Sequence, residues 1–473
     1  MKRYLSFLLF AVLVIPVGCV KDPAGDDNVK KTTNYYGNMF AYNMMKTYYL
    51  WEEEVSRSLE NWTYKEDPFD KVKTVRYSMD KWTRLLDDVG VFLEDLSGNA
   101  KSFGMEVNLY YTDATEEKIC AVVTYTYPNS PASRANLKRG DTILTLNGKE
   151  ILTSNYATLV STSLYGANAV RLGMSDGRVI SLTAEQIYEN AVQTALTLDF
   201  GSKKLGYLHF TGFTWDTCPD LESAFRQFKK NGINELVLDL RYNGGGYSST
   251  CTVLASMIAP LADVKAEHVF TTDIYNKQLA EEYKDELDTP FYQEYEYESS
   301  SGSKKYKVRP VDVNPDIRKL WVITTDNSAS ASECLICGLK PYMDVTLVGE
   351  QTYGKFCGGY IIESEDFFDS LSDDAKVDIA DAKKKTKGWG IYVMVSRYAD
   401  KYGVTLSMPD GIPVDYAAKD NPLDGFQLGD PSETMLAKVL ELSLGTSTKA
   451  PVSVTELKPA PPVRRPGFGV LLH

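Results

Sequence analysis

The spacing of apolar and polar positions divides the chain into blocks. Residues 1–19, MKRYLSFLLFAVLVIPVGC, place Lys2 and Arg3 ahead of an apolar run from Tyr4 to Val17 and a small-residue end at Gly18-Cys19. That order reads as a secretory leader. Residues 20–32 are polar, with Asp22, Asp26 and Asp27, and read as a linker. From 33 to 95 the spacing of Phe40, Met44, Tyr48 and Leu50-Trp51 predicts an N-terminal helical domain with its own core, with a second helix over Phe69 to Leu86. From 100 to 190 the pattern becomes β-rich. It predicts a strand over Glu106 to Tyr111, a short helix after Ser130-Pro131, a Gly140-Asp141 turn, a strand over Ile143 to Leu146, an Asn147-Gly148 turn and a helix from about Ser154 to Leu164.

From 195 to 445 strands alternate with helices. Leu205 to Phe210 and Glu235 to Arg241 are predicted strands, with a helix between them that Asp216 or Thr217 caps. Trp321 to Thr325 and Val345 to Gly349 flank a helix from about Ala329 to Lys340, which Pro341 stops. Gly390 to Arg397 is a further strand, and Gln427 to Leu444 a final helix. Residues 262–318 are rich in Tyr, Glu and Lys and read as a solvated insertion; 446–473 read as a flexible Pro-rich tail. The fold class is α/β, multidomain.

Charge changes the list of partners. A net charge of −13 over 473 residues argues against nucleic acid as a partner, since phosphate binding needs a basic surface. Histidine is scarce: His209, His268 and His473 are all there are, so a lysine base fits the chain better than a histidine one. Cys334 and Cys337 form a CxxC inside a helix with no second pair nearby, which argues for buried small hydrophobes rather than zinc. Cys357 could pair with either in an oxidising compartment; connectivity among Cys120, Cys218, Cys251, Cys334, Cys337 and Cys357 is not readable from spacing. No cofactor or metal is expected.

Candidate chemistry concentrates in residues 321–359, WVITTDNSASASECLICGLKPYMDVTLVGEQTYGKFCGG. Ser330 falls where a strand turns into a helix, beside unpaired N–H groups that favour negative charge. Lys355 follows 25 residues later, one strand–helix–strand excursion away. SASASE followed by VGEQTYGK resembles the signature of the C-terminal processing (tail-specific) serine peptidases. The resemblance implies a crotonase-like ββα catalytic domain, with Ser330 as nucleophile and Lys355 as its base. It also implies an oxyanion hole from Gly245 or Gly246, in the DLRYNGGG element, together with the amide of Ala331.

Residues 100–190 resemble a PDZ domain, in which a peptide adds as a strand and loop amides capture its carboxylate. That places peptide binding at Phe103-Gly104-Met105. The leader resembles a bacterial lipoprotein signal, with Cys19 lipidated and the body on the cell envelope, although Pro16 departs from the usual pattern. Two further departures concern the site. Many relatives have a glutamine four residues after the lysine, where this chain has Gly359, and some have an aspartate where it has Pro341. The third catalytic group is therefore open, with Thr352 or Tyr353 as candidates. The leading expectation is a lipid-anchored endopeptidase acting on protein chains or their ends. The rival is a catalytically weak or inactive peptide- or glycan-binding surface lipoprotein on the same fold.

Overall fold

A computed structural model describes residues 31–201, 203–372, 377–406, 408–445, 457–464 and 471–472. The leader, Cys19 and nearly all of the linker lie outside these residues.

The centre of the molecule is a six-stranded sheet in the order Val192–Asp199, Lys204–Phe210, Glu235–Asp239, Lys319–Thr324, Asp344–Gly349 and Tyr416–Ala417. All neighbours are parallel except the first pair. Parallel strands are covered on both faces, so their residues are apolar on both. Leu236, Leu238, Leu320, Val322 and Leu347 face a core shared with the helices Cys218–Asn231, Ser248–Ile258 and Ala331–Leu339. Tyr207, Val237, Trp321, Ile323 and Val348 face the helix Thr434–Leu444. That helix begins at Thr434 rather than Gln427, because Glu433 accepts the amide of Leu436 at 3.0 Å and caps it there.

A seven-stranded sheet stands beside this one. Its path runs Gly246–Tyr247, Leu471–Leu472, Cys357–Glu363, Gly390–Ala399, Val269–Tyr275 and Asp288–Pro290, with Arg84–Leu86 also paired to Gly390–Ala399. Two expectations change here. The segment 262–318 is not wholly a solvated insertion, since Val269–Tyr275 is an internal strand of this sheet. Nor does the expected helix Phe69–Leu86 form as such. The helix spans Pro68–Val75; Asp80 Oδ1 then accepts the amides of Trp82 and Thr83, and Arg84–Leu86 is a strand. Local side-chain bonding of this kind competes with helix.

The helix Thr33–Tyr48 packs on its own region, with Tyr35 against Tyr64 and Tyr42 against Trp62, and its core runs on into that of the strand Gly390–Ala399. A third, six-stranded sheet built from Met105–Tyr111, Ile119–Thr126, Thr142–Leu146, Lys149–Glu150, Ala169–Met174 and Val179–Thr183 has a separate core. The expected helix over Ser154 to Leu164 is Tyr156–Val160, continued by a wider-wound turn, Ser161–Tyr165.

The tail is not loose throughout. Pro459 bridges antiparallel to Tyr110, and Leu471–Leu472 pairs with Gly246–Tyr247. The six cysteines from Cys120 to Cys357 are buried free thiols.

Candidate active site

Two neighbouring parallel strands, Glu235–Asp239 and Lys319–Thr324, end side by side, and their loops carry the site. The first opens into Asn243-Gly244-Gly245-Gly246. The second turns through Ser328 and Ala329 into the helix Ala331–Leu339. The loops are stapled together: Ala329 N and the Ser332 hydroxyl both donate to Asn243 O, each at 3.0 Å.

Ser330 sits at the head of the helix with φ 61° and ψ −108°, a conformation costly for any residue with a Cβ. It is fully buried, and its hydroxyl has no hydrogen-bond partner among the described residues. Ala331 is the first helical residue, so its N–H is one of those left without an intrahelical acceptor.

Lys355 is also fully buried. Its Nζ donates to the Tyr392 hydroxyl at 2.9 Å and lies 5.5 Å from the Trp82 ring centroid and 5.3 Å from that of Tyr392. Burial pushes its pKa down to about 8, with Arg84 adding to the effect and Asp80 opposing it.

Glu333 joins the two halves. Its Oε2 accepts the amide of Ser330 at 2.8 Å and that of Lys355 at 2.9 Å; its Oε1 accepts Gly354 N at 2.7 Å and the Thr352 hydroxyl at 2.5 Å. Burial pushes the carboxyl up to about 7, against the pull of these four donors. The Tyr398 hydroxyl bridges the same halves, donating to the carbonyls of Ser330 and Lys355, each at 3.2 Å.

Of the two glycines proposed for the oxyanion, the amide of Gly245 already donates to Asn243 Oδ1 at 2.9 Å. This leaves Gly246, whose φ of 139° and close approach to Phe213 O leave no room for a Cβ. Around Phe103-Gly104-Met105, the Gly104 amide donates to Ser102 Oγ at 3.0 Å, and the side chains of Phe103 and Met105 are buried in the core of their own sheet. That loop is braced from within.

Of the two candidates for the third group, Thr352 bonds Glu333, and Arg464 stacks over Tyr353. The group that reaches Lys355 is Tyr392, from the strand Gly390–Ala399. Sequence reading missed it because it is 37 residues away, in a β-strand with no motif of its own. A Cβ on Gly359 would come within 2.7 Å of the Tyr392 ring. The Val393 carbonyl, at 2.6 Å, and the Met394 methyl, at 2.7 Å, crowd the same Cβ, so a glutamine at 359 does not fit this backbone. Glu333 was in plain view as the last letter of SASASE, but nothing in spacing shows which amides it collects. Pro341 lies past the end of the helix, away from these contacts.

His209 takes no part. It is buried, its pKa is pushed down to about 4 by desolvation, and it packs edge-on to Tyr125. Asp239 and Arg241 form a buried cluster with Asp420 and Glu433.

The profile of peptidase family S41 matches residues 204–417. The chain is 25% identical over 375 residues to the chloroplastic C-terminal processing peptidase of Tetradesmus obliquus, covering 72% of this chain and 68% of that protein. It is 24% identical over 439 residues to the carboxyl-terminal-processing protease of Synechocystis sp., covering 88% and 87%. Among solved structures, a candidate S41 protease from Bacteroides fragilis has the same fold, with a TM-score of 0.62 at 21% identity over 86% of this chain and 97% of that one.

Proposed function

We propose that this chain, whose residues 204–417 match the profile of peptidase family S41 and which is similar to C-terminal processing peptidases, hydrolyses peptide bonds of protein substrates through Ser330 and Lys355. The observation that carries this reading is a serine on strained backbone, its buried hydroxyl without a partner among the described residues, and a buried lysine, the amides of both held on one Glu333 oxygen.

Lys355 neutral accepts the proton of Ser330 Oγ as that oxygen bonds the substrate carbonyl carbon. The carbonyl oxygen becomes an oxyanion held by the amides of Gly246 and Ala331; losing one such donor typically costs about 3 kcal/mol of barrier. The C–N bond then breaks, and Lys355 returns its proton to the leaving amine. Water repeats the sequence on the ester and frees the acid. Tyr392 positions the lysine.

The region around residues 100–190 recognises the substrate by strand addition of PDZ type. The leader with Cys19 supports a lipid-anchored place on the cell envelope.

The test is cleavage of an unfolded protein by residues 20–473, compared with Ser330→Ala and Lys355→Ala. Both variants should be inert. The rate of the parent should rise with pH through about 8, because the lysine acts only when neutral. A parent as inert as its variants on several substrates would leave the binding-protein reading in front.

A further inference from the structure

The two rims of the proposed cleft are the strand Gly246–Tyr247, on the oxyanion side, and the strand Cys357–Glu363, which follows Lys355. Among the described residues they are joined through Leu471–Leu472. This segment runs parallel to Gly246–Tyr247 on one side and pairs with Gly359 on the other. A backbone lying between these rims is where strand addition would seat a substrate.

Upstream, the same tail adds to the separate sheet. Tyr111 N donates to Lys458 O and Ala460 N to Leu109 O, both at 2.9 Å, and Pro459 bridges antiparallel to Tyr110. Ala460 is buried in that sheet's core, and Val463 packs against it. Antiparallel pairing with Met105–Tyr111 points the tail toward Gly104, the direction in which a bound chain end would run.

Arg464 makes the connection. Its guanidinium lies 4.9 Å from the Tyr353 ring centroid, and its Nη2 lies 3.6 Å from Asp326 Oδ2. Asp326 belongs to the turn before Ser330, and Tyr353 to the loop before Lys355. The tail is thus fastened to both halves of the site, and both site residues are buried.

We propose that the chain's own C-terminal segment, Lys458–Arg464 with Leu471–Leu472, is a ligand of its own substrate path, held in cis by strand addition at two places. This rests on the peptidase reading for its consequence but not for its binding. A tethered ligand acts at an effective concentration of up to about millimolar. Only substrates that compete at that level enter.

The experiment compares the full chain with a full-length Ala460→Asp/Arg464→Ala variant and with a chain ending at Gly445. The probe is a fluorescent peptide of residues 457–473, and a second readout is cleavage of an unfolded protein. In a Ser330→Ala background the peptide should bind at least about tenfold more tightly once the tail is displaced or removed, as expected for relief of a cis competitor. With Ser330 intact, cleavage in trans should rise by a similar factor, and added peptide should reverse it competitively. The full-length variant guards against a truncation that fails to fold. Equal peptide binding with and without the resident tail, or no binding to either altered chain, overturns the proposal whatever the activity. Peptide binding that responds to the tail in a chain that cuts nothing would sustain it and sink the peptidase reading instead.

Discussion

At the scale of single residues, the site depends on what Glu333 and Tyr392 do for two residues they do not resemble. A glutamine at 333 keeps one carbonyl acceptor and replaces the other oxygen with an NH2 that faces donors. The Glu333→Gln variant should lose about 1–3 kcal/mol of stability, the cost of buried polar groups left unpaired, measured by denaturant unfolding, and most of its activity. Tyr392→Phe keeps the ring against Gly359 and removes only the hydroxyl on Lys355. Its kcat should fall with KM and melting temperature little changed, and the pH profile should move. A hydroxyl that only fills space would leave kcat and the profile where they are. Gly359→Gln should lower activity rather than raise it, measured as cleavage of an unfolded protein, because its Cβ meets the Val393 carbonyl at 2.6 Å as well as the Met394 methyl and the Tyr392 ring.

At the scale of elements, the lysine pocket is walled by a segment far from it in sequence. The turn after the helix Pro68–Val75 brings Asp80 and Trp82 to Lys355, and the strand Arg84–Leu86 fixes that turn by pairing with Gly390–Ala399. Burial is what lowers the lysine pKa. Trp82→Ala admits water, so the pKa rises toward its ordinary value, and the activity limb should shift to higher pH. The rate at pH 8 should fall while the rate at pH 10 recovers. An unmoved limb would mean that the indole does not desolvate the lysine. The Gly-rich loop belongs to the same scale. Gly246→Ala forces a Cβ to 2.2 Å from Phe213 O and should abolish cleavage through displacement of the amide.

At the scale of the whole molecule, a buried ionic cluster ties the separate β-rich sheet to the central sheet. Arg139, next to the Gly140-Asp141 turn, bonds Asp420 at 2.7 Å, and Arg241 bonds Asp420, Asp239 and Glu433. The two cations hold the Asp420 carboxyl far below the usual carboxylate range. Removing one member of such a cluster strands its partners. Arg241→Ala should cost about 3–5 kcal/mol, read by denaturant unfolding. Arg139→Ala should cost less, because Asp420 keeps Arg241, and its main effect should be on the coupling of peptide binding to cleavage. The tail crosses the same boundary, so the two regions are linked by charge at the core and by strand addition at the surface.

The sequence by itself determined the order of the elements and the place of the chemistry. Apolar strands buried on both faces, a helix stopped by Pro341, and Ser330 and Lys355 at a spacing of 25 are local or one-excursion features, and local patterning can specify them. Tertiary structure alone decided which groups meet the lysine, which glycine amide stays open, and where residues 262–318 and the tail go. Tyr392, Trp82, Val269–Tyr275 and Leu471–Leu472 come to the site through pairings with partners tens to hundreds of residues away. Nothing in a strand's own alternation names its neighbour, because register is set by contacts that exist only after the chain has closed on itself.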